Sequence, residues 1–332
     1  MHRPQADWRN PLKNLTRIAG VICSCFFAHP VFSQAYPVKP VRIVVAYAAG
    51  GANDLVARTV GQKLSERVGQ QVIVDNRPGA ASNIGSDHVA KSTPDGYTLL
   101  LGSSANASNM TLYSKLPYDP LKDLVPVTLL AVNPYLFVVH PSLPAKSVKD
   151  FIALARARPG QIAYASSGSG GATHLTAELL KLTANINILH VPYKGGGPAM
   201  IDLAGGHVVA MFENMITAIP YAQTGKVRAI AVTSLQRSEI LPDVPTVAEG
   251  GLAGFESLGW FGIFAPANTP RDVVSRLNTE LVAVVRASDM VERLKGQGVT
   301  AVGNSPADFD KFFRDYAAKW GKVVKASGAR VD

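Results

Sequence analysis

The sequence predicts an α/β fold of two lobes, each a mainly parallel sheet flanked by helices, with a hinge between them. Three observations point there. Apolar runs of strand length alternate with segments of helical period along nearly the whole chain, the pattern of strand–helix–strand units. Glycines and prolines, 29 and 22 of them, punctuate the joints. The alternation is interrupted twice, at Asn133-Pro134 and across 255–262, as in a chain that leaves one lobe, builds a second and returns. Two connections between lobes form a hinge, and hinges close on ligands.

Composition supports a packed chain. Apolar residues are 47% and charged residues 17% of 332, which excludes disorder and allows two domains with a large core. The first 35 residues read as a secretory signal peptide. Arg3, Arg9, Lys13 and Arg17 precede an apolar run over 18–28, and Ser33-Gln34-Ala35 supplies a small-residue cleavage site before Tyr36. A lipobox around Ile22-Cys23-Ser24-Cys25 is the alternative, with a very short apolar run ahead of Cys25. Both cysteines fall in this segment, so the mature chain is expected to hold no disulfide and no thiol chemistry. Removing 1–35 takes four of the 33 basic and one of the 24 acidic residues, leaving 29 against 23, a net of +6. The densest basic group, Lys319, Lys322, Lys325 and Arg330 around Trp320, reads as a solvated helix face, not as a nucleic-acid site. Nothing in the mature sequence reads as a membrane anchor.

The elements follow in order. The continuous apolar run 41–47 predicts a strand buried on both faces. Val56, Val60, Leu64 and Val68 predict a helix over 54–68 that Gly69 stops. A strand at 72–75, a turn at 76–79, a helix at 84–92 and a strand at 97–101 come next. Strands at 127–132 and 135–139 are separated by Asn133-Pro134. Beyond them the alternation resumes with helix 147–158, strand 162–166, helix 173–183, strand 187–191, helix 197–204, strand 207–213, helix 215–223 and strand 228–233. After an irregular stretch, 261–265 is a strand. Thr269-Pro270 and Ser305-Pro306 cap two closing helices. The predicted division is 36–133 plus 259–332 for lobe one and 134–258 for lobe two.

Four small-residue turns lie at strand ends, where open α/β sheets bind ligands. They are Ala48 to Asp54, Gly102-Ser103-Ser104, Ser166 to His174, and His190 to Pro198. Gly50 and Gly51 allow close backbone approach, and the N–H groups of a helix start point at whatever fills the turn. A tight turn with Asn53 or Asp54 capping the helix is an equal reading of the first. The second turn composes a donor-lined wall or a flexible turn, with His174 at a helix start. No Gly-x-Gly-x-x-Gly, phosphate loop, nucleophile elbow, His-Glu-x-x-His or Cys-x-x-Cys is present. Ser169 and His174 are close in sequence, but spacing alone does not make a catalytic dyad.

Longer motifs carry a family resemblance. Tyr36-Pro37-x-Lys39-Pro40-x-Arg42-Ile43-Val44-Val45, Gly50-Gly51-x-x-Asp54-x-x-Ala57-Arg58, Asn76-Arg77-Pro78-Gly79-Ala80, Pro94-Asp95-Gly96-Tyr97-Thr98, His190-Val191-Pro192-Tyr193-Lys194-Gly195, Leu241-Pro242-x-Val244-Pro245-Thr246 and Phe264-Ala265-Pro266-Ala267 occur in order along the mature chain. The sequence resembles the Bug family, the substrate-binding proteins of tripartite tricarboxylate transporters. The resemblance implies a periplasmic two-lobe binding protein of type II topology. It implies a small carboxylated ligand held largely by backbone amides, small hydroxyls and water, and delivery to membrane transporter subunits. It implies no catalysis, cofactor or metal. The chain departs from the family in three places: Ala48-Ala49 replaces proline-rich residues, Ala80-Ala81-Ser82 replaces a small-Gly-Gly run, and Glu213 stands where Asp is common.

The candidate ligand-binding set is Tyr47, Ala49, Gly50, Gly51, Asp54, Ser103, Ser104, Ser166, Ser167, Gly168, Gly170, Thr173, His174, Tyr193 and Asn214. Asp54 is expected either to cap the helix or to meet an amine on the ligand. The expected protein is a monomeric binding module. The rivals are a receptor that feeds a sensor protein and a periplasmic hydrolase.

Overall fold

The computed structural model describes residues 1–2 and 36–328, so the expected signal peptide lies outside the described residues. Two mixed sheets share one strand. In the first, β1 (Val41–Val45) pairs in parallel with β2 (Val72–Asn76) and β3 (Thr98–Ser103). The long β9 (Leu258–Pro266) then lies antiparallel between β3 and β4 (Leu124–Val139), and β10 (Thr300–Ala301) pairs with β4. In the second sheet, β4 continues antiparallel to β7 (Ala210–Asn214) and β8 (Arg228–Val232). There β5 (Ala163–Ser166) is parallel to both β7 and β6 (Leu189–Pro192).

The parallel strands are those expected from the strand–helix alternation. The sheets are mixed and not mainly parallel, because the connecting strands β4 and β9 run against their neighbours. Asn133-Pro134 is also not a break. β4 is one strand of 16 residues, and this pair is where it changes partners. Pro134 still pairs with Leu258, whereas Tyr135 pairs with Asn214. A proline lacks the N–H a ladder needs, so it fits where one ladder ends and another begins.

Helices cover both faces of each sheet. Val41, Ile43 and Val45 face α1 (Ala52–Val68) and α8 (Arg271–Val285), while Val44 faces the opposite core with Phe309 and Phe313 of α10 (Pro306–Ser327). In the second sheet Tyr135, Phe137 and Val139 pack with α4 (Val148–Ala157) and α5 (Ala172–Ala184). Leu136 and Val138 pack on the other side with α6 (Gly196–Ala204) and α7 (Met215–Gln223). This alternation is the period-2 signature of a strand buried on both faces.

Three further helices complete the fold. α2 (Asn83–Ala90) packs on β1 and β3, α3 (Ser104–Leu112) follows β3, and α9 (Ser288–Lys295) follows α8. The sequence signals missed α3 because it buries polar residues. Asn106 Nδ2 donates to Ser86 Oγ at 2.8 Å, and Asn109 Nδ2 donates to the Ala81 carbonyl at 2.8 Å. Such a helix has no apolar stripe to read, since hydrogen bonds satisfy its buried face. Among the described residues no helix is long and apolar enough to cross a membrane.

Candidate ligand-binding site

Five helices begin at one narrow polar cavity. Gly51, Ala52 and Asn53 start α1; Ser103 and Ser104 start α3; Ala172 and Thr173 start α5; Gly196 starts α6; Asn214 is the residue before α7. Tyr47, Tyr135, Ser167, Trp260, Phe261 and Glu213 complete the wall. Each of these helices follows a strand, so the cavity lies beyond strand ends. The first N–H groups of a helix lack internal acceptors and carry the positive end of its dipole. The wall contains no Lys, Arg or His, and its one charged residue type is Glu213.

The first turn is built by Asp54, and not as either expected reading had it. The residue before α1 is Gly51, which makes no side-chain cap. The Gly50 N–H donates to Asp54 Oδ2 at 3.0 Å, with Gly50 in the left-handed region at φ 82°. Arg58 clamps the same carboxylate, Nε donating to Oδ2 at 3.0 Å and Nη2 lying 2.9 Å from Oδ1. Burial pushes the Asp54 carboxyl up, but Arg58 and the Gly50 amide outweigh it and hold it below its ordinary value. Asp54 is therefore a neutralised brace behind the turn, and its charge does not face the cavity. Gly50 and Ala49 do not line the cavity either: the Gly50 amide is already used, and the Ala49 carbonyl backs onto Gly197.

The second turn closes on itself. Ser167 N–H donates to Thr173 Oγ1 at 2.9 Å, Gly168 N–H to Ser166 Oγ at 3.2 Å, and Gly170 N–H to His174 Nδ1 at 3.0 Å. Of the donors expected in this turn, the Ser167, Gly168 and Gly170 amides are thus engaged within it. Among the described residues Ser166, Gly170 and His174 line neither this cavity nor the space beside it, whereas Ser167 and Thr173 line the cavity. His174 and His190 stack at 4.0 Å between centroids. Burial pushes both imidazoles down, His174 to about 4 with help from Lys181, and His190 to about 3 with help from His174. They are neutral props for the turn.

Tyr47 and Ser103 join across the cavity floor, Oη to Oγ, at 3.1 Å. Burial pushes the Tyr47 phenol up to about 12, so it stays protonated. Asn53 Nδ2 and Trp260 Nε1 are buried donors with no hydrogen-bond partner among the described residues. Glu213 is fully buried; its Oε1 accepts from Asn214 Nδ2 at 3.1 Å and its Oε2 has no such partner.

An adjoining space of about 660 Å³ shares Tyr47 and Ser167 with the cavity. Gly168 and Tyr193 line this second space, and the Tyr193 hydroxyl donates to Asp202 Oδ2 at 2.7 Å. Its far wall is the turn Ala80, Ala81 and Ser82, with φ of 45°, 47° and 77°. Three consecutive left-handed residues other than glycine are strained, each by about 1–2 kcal/mol.

Of the expected set, then, Tyr47, Gly51, Ser103, Ser104, Ser167, Thr173 and Asn214 meet at the cavity. Ala52, Asn53, Tyr135, Ala172, Gly196, Glu213, Trp260 and Phe261 were missed. Ala52, Asn53, Ala172 and Gly196 had a readable signal, since they begin helices directly after glycine turns. Glu213 had one too, as an acid closing an apolar run. Trp260 and Phe261 come from β9, which returns from far along the chain and leaves no local sign.

Known proteins resemble this chain in sequence and fold. Residues 56–329 match the model of the tripartite tricarboxylate transporter family receptor. Protein BugT of Bordetella pertussis is 38% identical over 324 residues, covering 96% of this chain and 99% of that protein. An R. palustris protein solved with adipate is 38% identical at a TM-score of 0.86, with 88% of this chain and 98% of that chain covered. MatC from Rhodopseudomonas palustris with bound malate is 31% identical at a TM-score of 0.84, with 87% and 100% covered. On the fold, the site and these likenesses together, the chain belongs to the Bug proteins of the tripartite tricarboxylate transporter receptor family.

Proposed function

We propose that this chain is a periplasmic solute receptor that captures a small carboxylate and presents it to the membrane subunits of a tripartite transporter. The observation that carries the reading is the convergence of five helix starts on a cavity with no basic side chain. A helix terminus contributes about 0.3–1 kcal/mol to an anion, and up to about 2 when partly buried. Micromolar binding needs about 8 kcal/mol. The termini therefore act with direct hydrogen bonds, each about 1.5–3 kcal/mol when an ionised group takes part. Donors for these include Asn53 Nδ2, Trp260 Nε1 and the small hydroxyls. The family members that hold adipate and malate support the ligand class.

The two lobes of this reading are 36–133 plus 259–332, and 134–258. The partner change at Pro134 and Tyr135 supports that division. A ligand touching both lobes binds the closed form better and so shifts the hinge equilibrium. Binding without catalysis is the favoured mode. Ser166 Oγ lies 2.6 Å from His190 Nε2, but Ser166 is fully buried and absent from the cavity wall.

A thermal-shift panel of mono-, di- and tricarboxylates on ligand-free protein tests the proposal. At least one compound is expected to raise the melting temperature. A flat response across the panel would overturn the reading.

A further inference from the structure

Glu213 is the unexplained group of the site. A carboxylate receptor has no evident use for an acid in its binding cavity, and burying an unpaired charge is costly. Yet Glu213 is 0% exposed, and its Oε2 has no hydrogen-bond partner among the described residues. It sits against the start of α6: a Cβ on Gly196 would lie 2.6 and 2.7 Å from its two oxygens. Only a glycine there leaves room for the acid.

The groups around it offer no compensating cation. On β7 its neighbour Asn214 donates to Oε1. The Asn214 Oδ1 is itself engaged by Asn133 Nδ2 at 2.8 Å, which fixes the amide. From β4 comes the Tyr135 phenol and from the β1 end the Tyr47 phenol, both held protonated by burial. β9 presents the Trp260 indole, the starts of α3 and α5 present hydroxyls, and the starts of α1 and α6 present backbone and the Asn53 amide.

Resting on the carboxylate reading above, we infer that Glu213 is a ligand-contacting residue that acts as a protonated acid. Its Oε2–H donates a hydrogen bond to a ligand carboxylate, and the site takes up its ligand together with one proton. The proton comes from solvent, settles on Oε2, and returns there when the ligand leaves. A neutral carboxylic acid in a desolvated site is a good donor to an anion. Two carboxyl groups in contact do not both ionise, so the bound anion raises the affinity of Glu213 for its proton further. Burial already pushes the free protein's Glu213 up to about 7. The role is one of specificity: the site favours a carboxylate where a neutral solute would waste the donor.

Titration calorimetry with adipate and with malate tests this on the mature protein. Both probes are fully ionised above neutral pH, so any proton taken up belongs to the protein. Runs at pH 8 in buffers of different ionisation enthalpy are expected to show uptake approaching one proton per ligand. Affinity is expected to fall close to tenfold per pH unit above about 7 and to level off below it. Glu213→Gln, whose amide keeps a donor, is expected to bind with no proton uptake and no pH dependence between 6 and 9. Wild-type binding without proton uptake would overturn the inference and leave the carboxylate reading standing. So would a folded Glu213→Gln that loses binding at every pH, because Glu213 would then act as an ionised acceptor. Failure of both probes, and of every other carboxylate in the panel, to bind at pH 6 would overturn the carboxylate reading, and this inference with it.

Discussion

The Ala48 amide donates a 2.9 Å hydrogen bond to the Lys194 carbonyl, joining the turn after β1 directly to the turn after β6. The two turns meet backbone to backbone. A Cβ on Gly195 would lie 3.2 Å from the Ala48 nitrogen, and one on Gly197 would lie 2.9 Å from the Ala49 carbonyl oxygen. Glycines on both sides let the chain segments approach over the cavity.

This contact makes the approach of the two turns sensitive to any side chain at position 197. Gly197→Val is expected to fold normally, since its clash is with the opposite turn and not with its own sheet. Its closed form is expected to be blocked and carboxylate affinity to drop at least 100-fold. Small-angle scattering would then show no compaction on adding ligand. Unchanged affinity would mean that the two turns do not need to meet.

Asp54 separates a brace from a ligand contact. Asp54→Ala leaves the Gly50 N–H without its acceptor and releases Arg58. Gly50 and Arg58 are exposed, so water replaces part of what is lost, and chemical denaturation should show a loss of about 0.5–1.5 kcal/mol, the net worth of one hydrogen bond. Ligand affinity should change less than tenfold, because the carboxylate does not reach the cavity. Loss of binding at unchanged stability would restore Asp54 as a direct contact.

Stability of the ligand-free protein should peak near mildly acid pH. The Glu213 carboxyl is raised from 4.5 to about 7. Its contribution is full below pH 4.5 and is lost as pH rises through 7, amounting to about 3 kcal/mol. His174 and His190 are lowered from 6.5 to about 4 and about 3. Their contribution is full above 6.5 and is lost as pH falls through 4 and 3. Urea melts from pH 4 to 9 should give a maximum between these limbs, and Glu213→Gln should flatten the alkaline one.

The strained turn offers an opposite kind of change. Ala81 and Ser82 occupy left-handed conformations that glycine adopts without penalty. Ala81→Gly is expected to stabilise the protein by about 1 kcal/mol, less whatever the freer unfolded chain takes back. Denaturant midpoints measure it. A destabilised variant would mean that the methyl group's packing outweighs the backbone strain.

Much of this was legible in the residues themselves. β1, α1 and the β5–α7 alternation follow from apolar period and glycine stops, because each packs a whole face on a core. α3 was not legible, since its buried Asn106 and Asn109 answer to distant loops and not to a local stripe. The glycine turns marked the site's position. They could not tell which amides face inward, because that depends on acceptors such as Asp54 Oδ2 and His174 Nδ1, whose orientation is set by folding. Glu213 was visible as a departure from the family, but its burial arises only when β7 meets α6 and β9.

The ligand itself is the most direct witness. Mass spectrometry of the small molecules released on denaturing protein purified from its own periplasm identifies what the cavity holds. The expected result is one or more small carboxylic acids at close to one per chain. A stoichiometric neutral solute or a cation without a carboxyl group would mean that the cavity is not a carboxylate site.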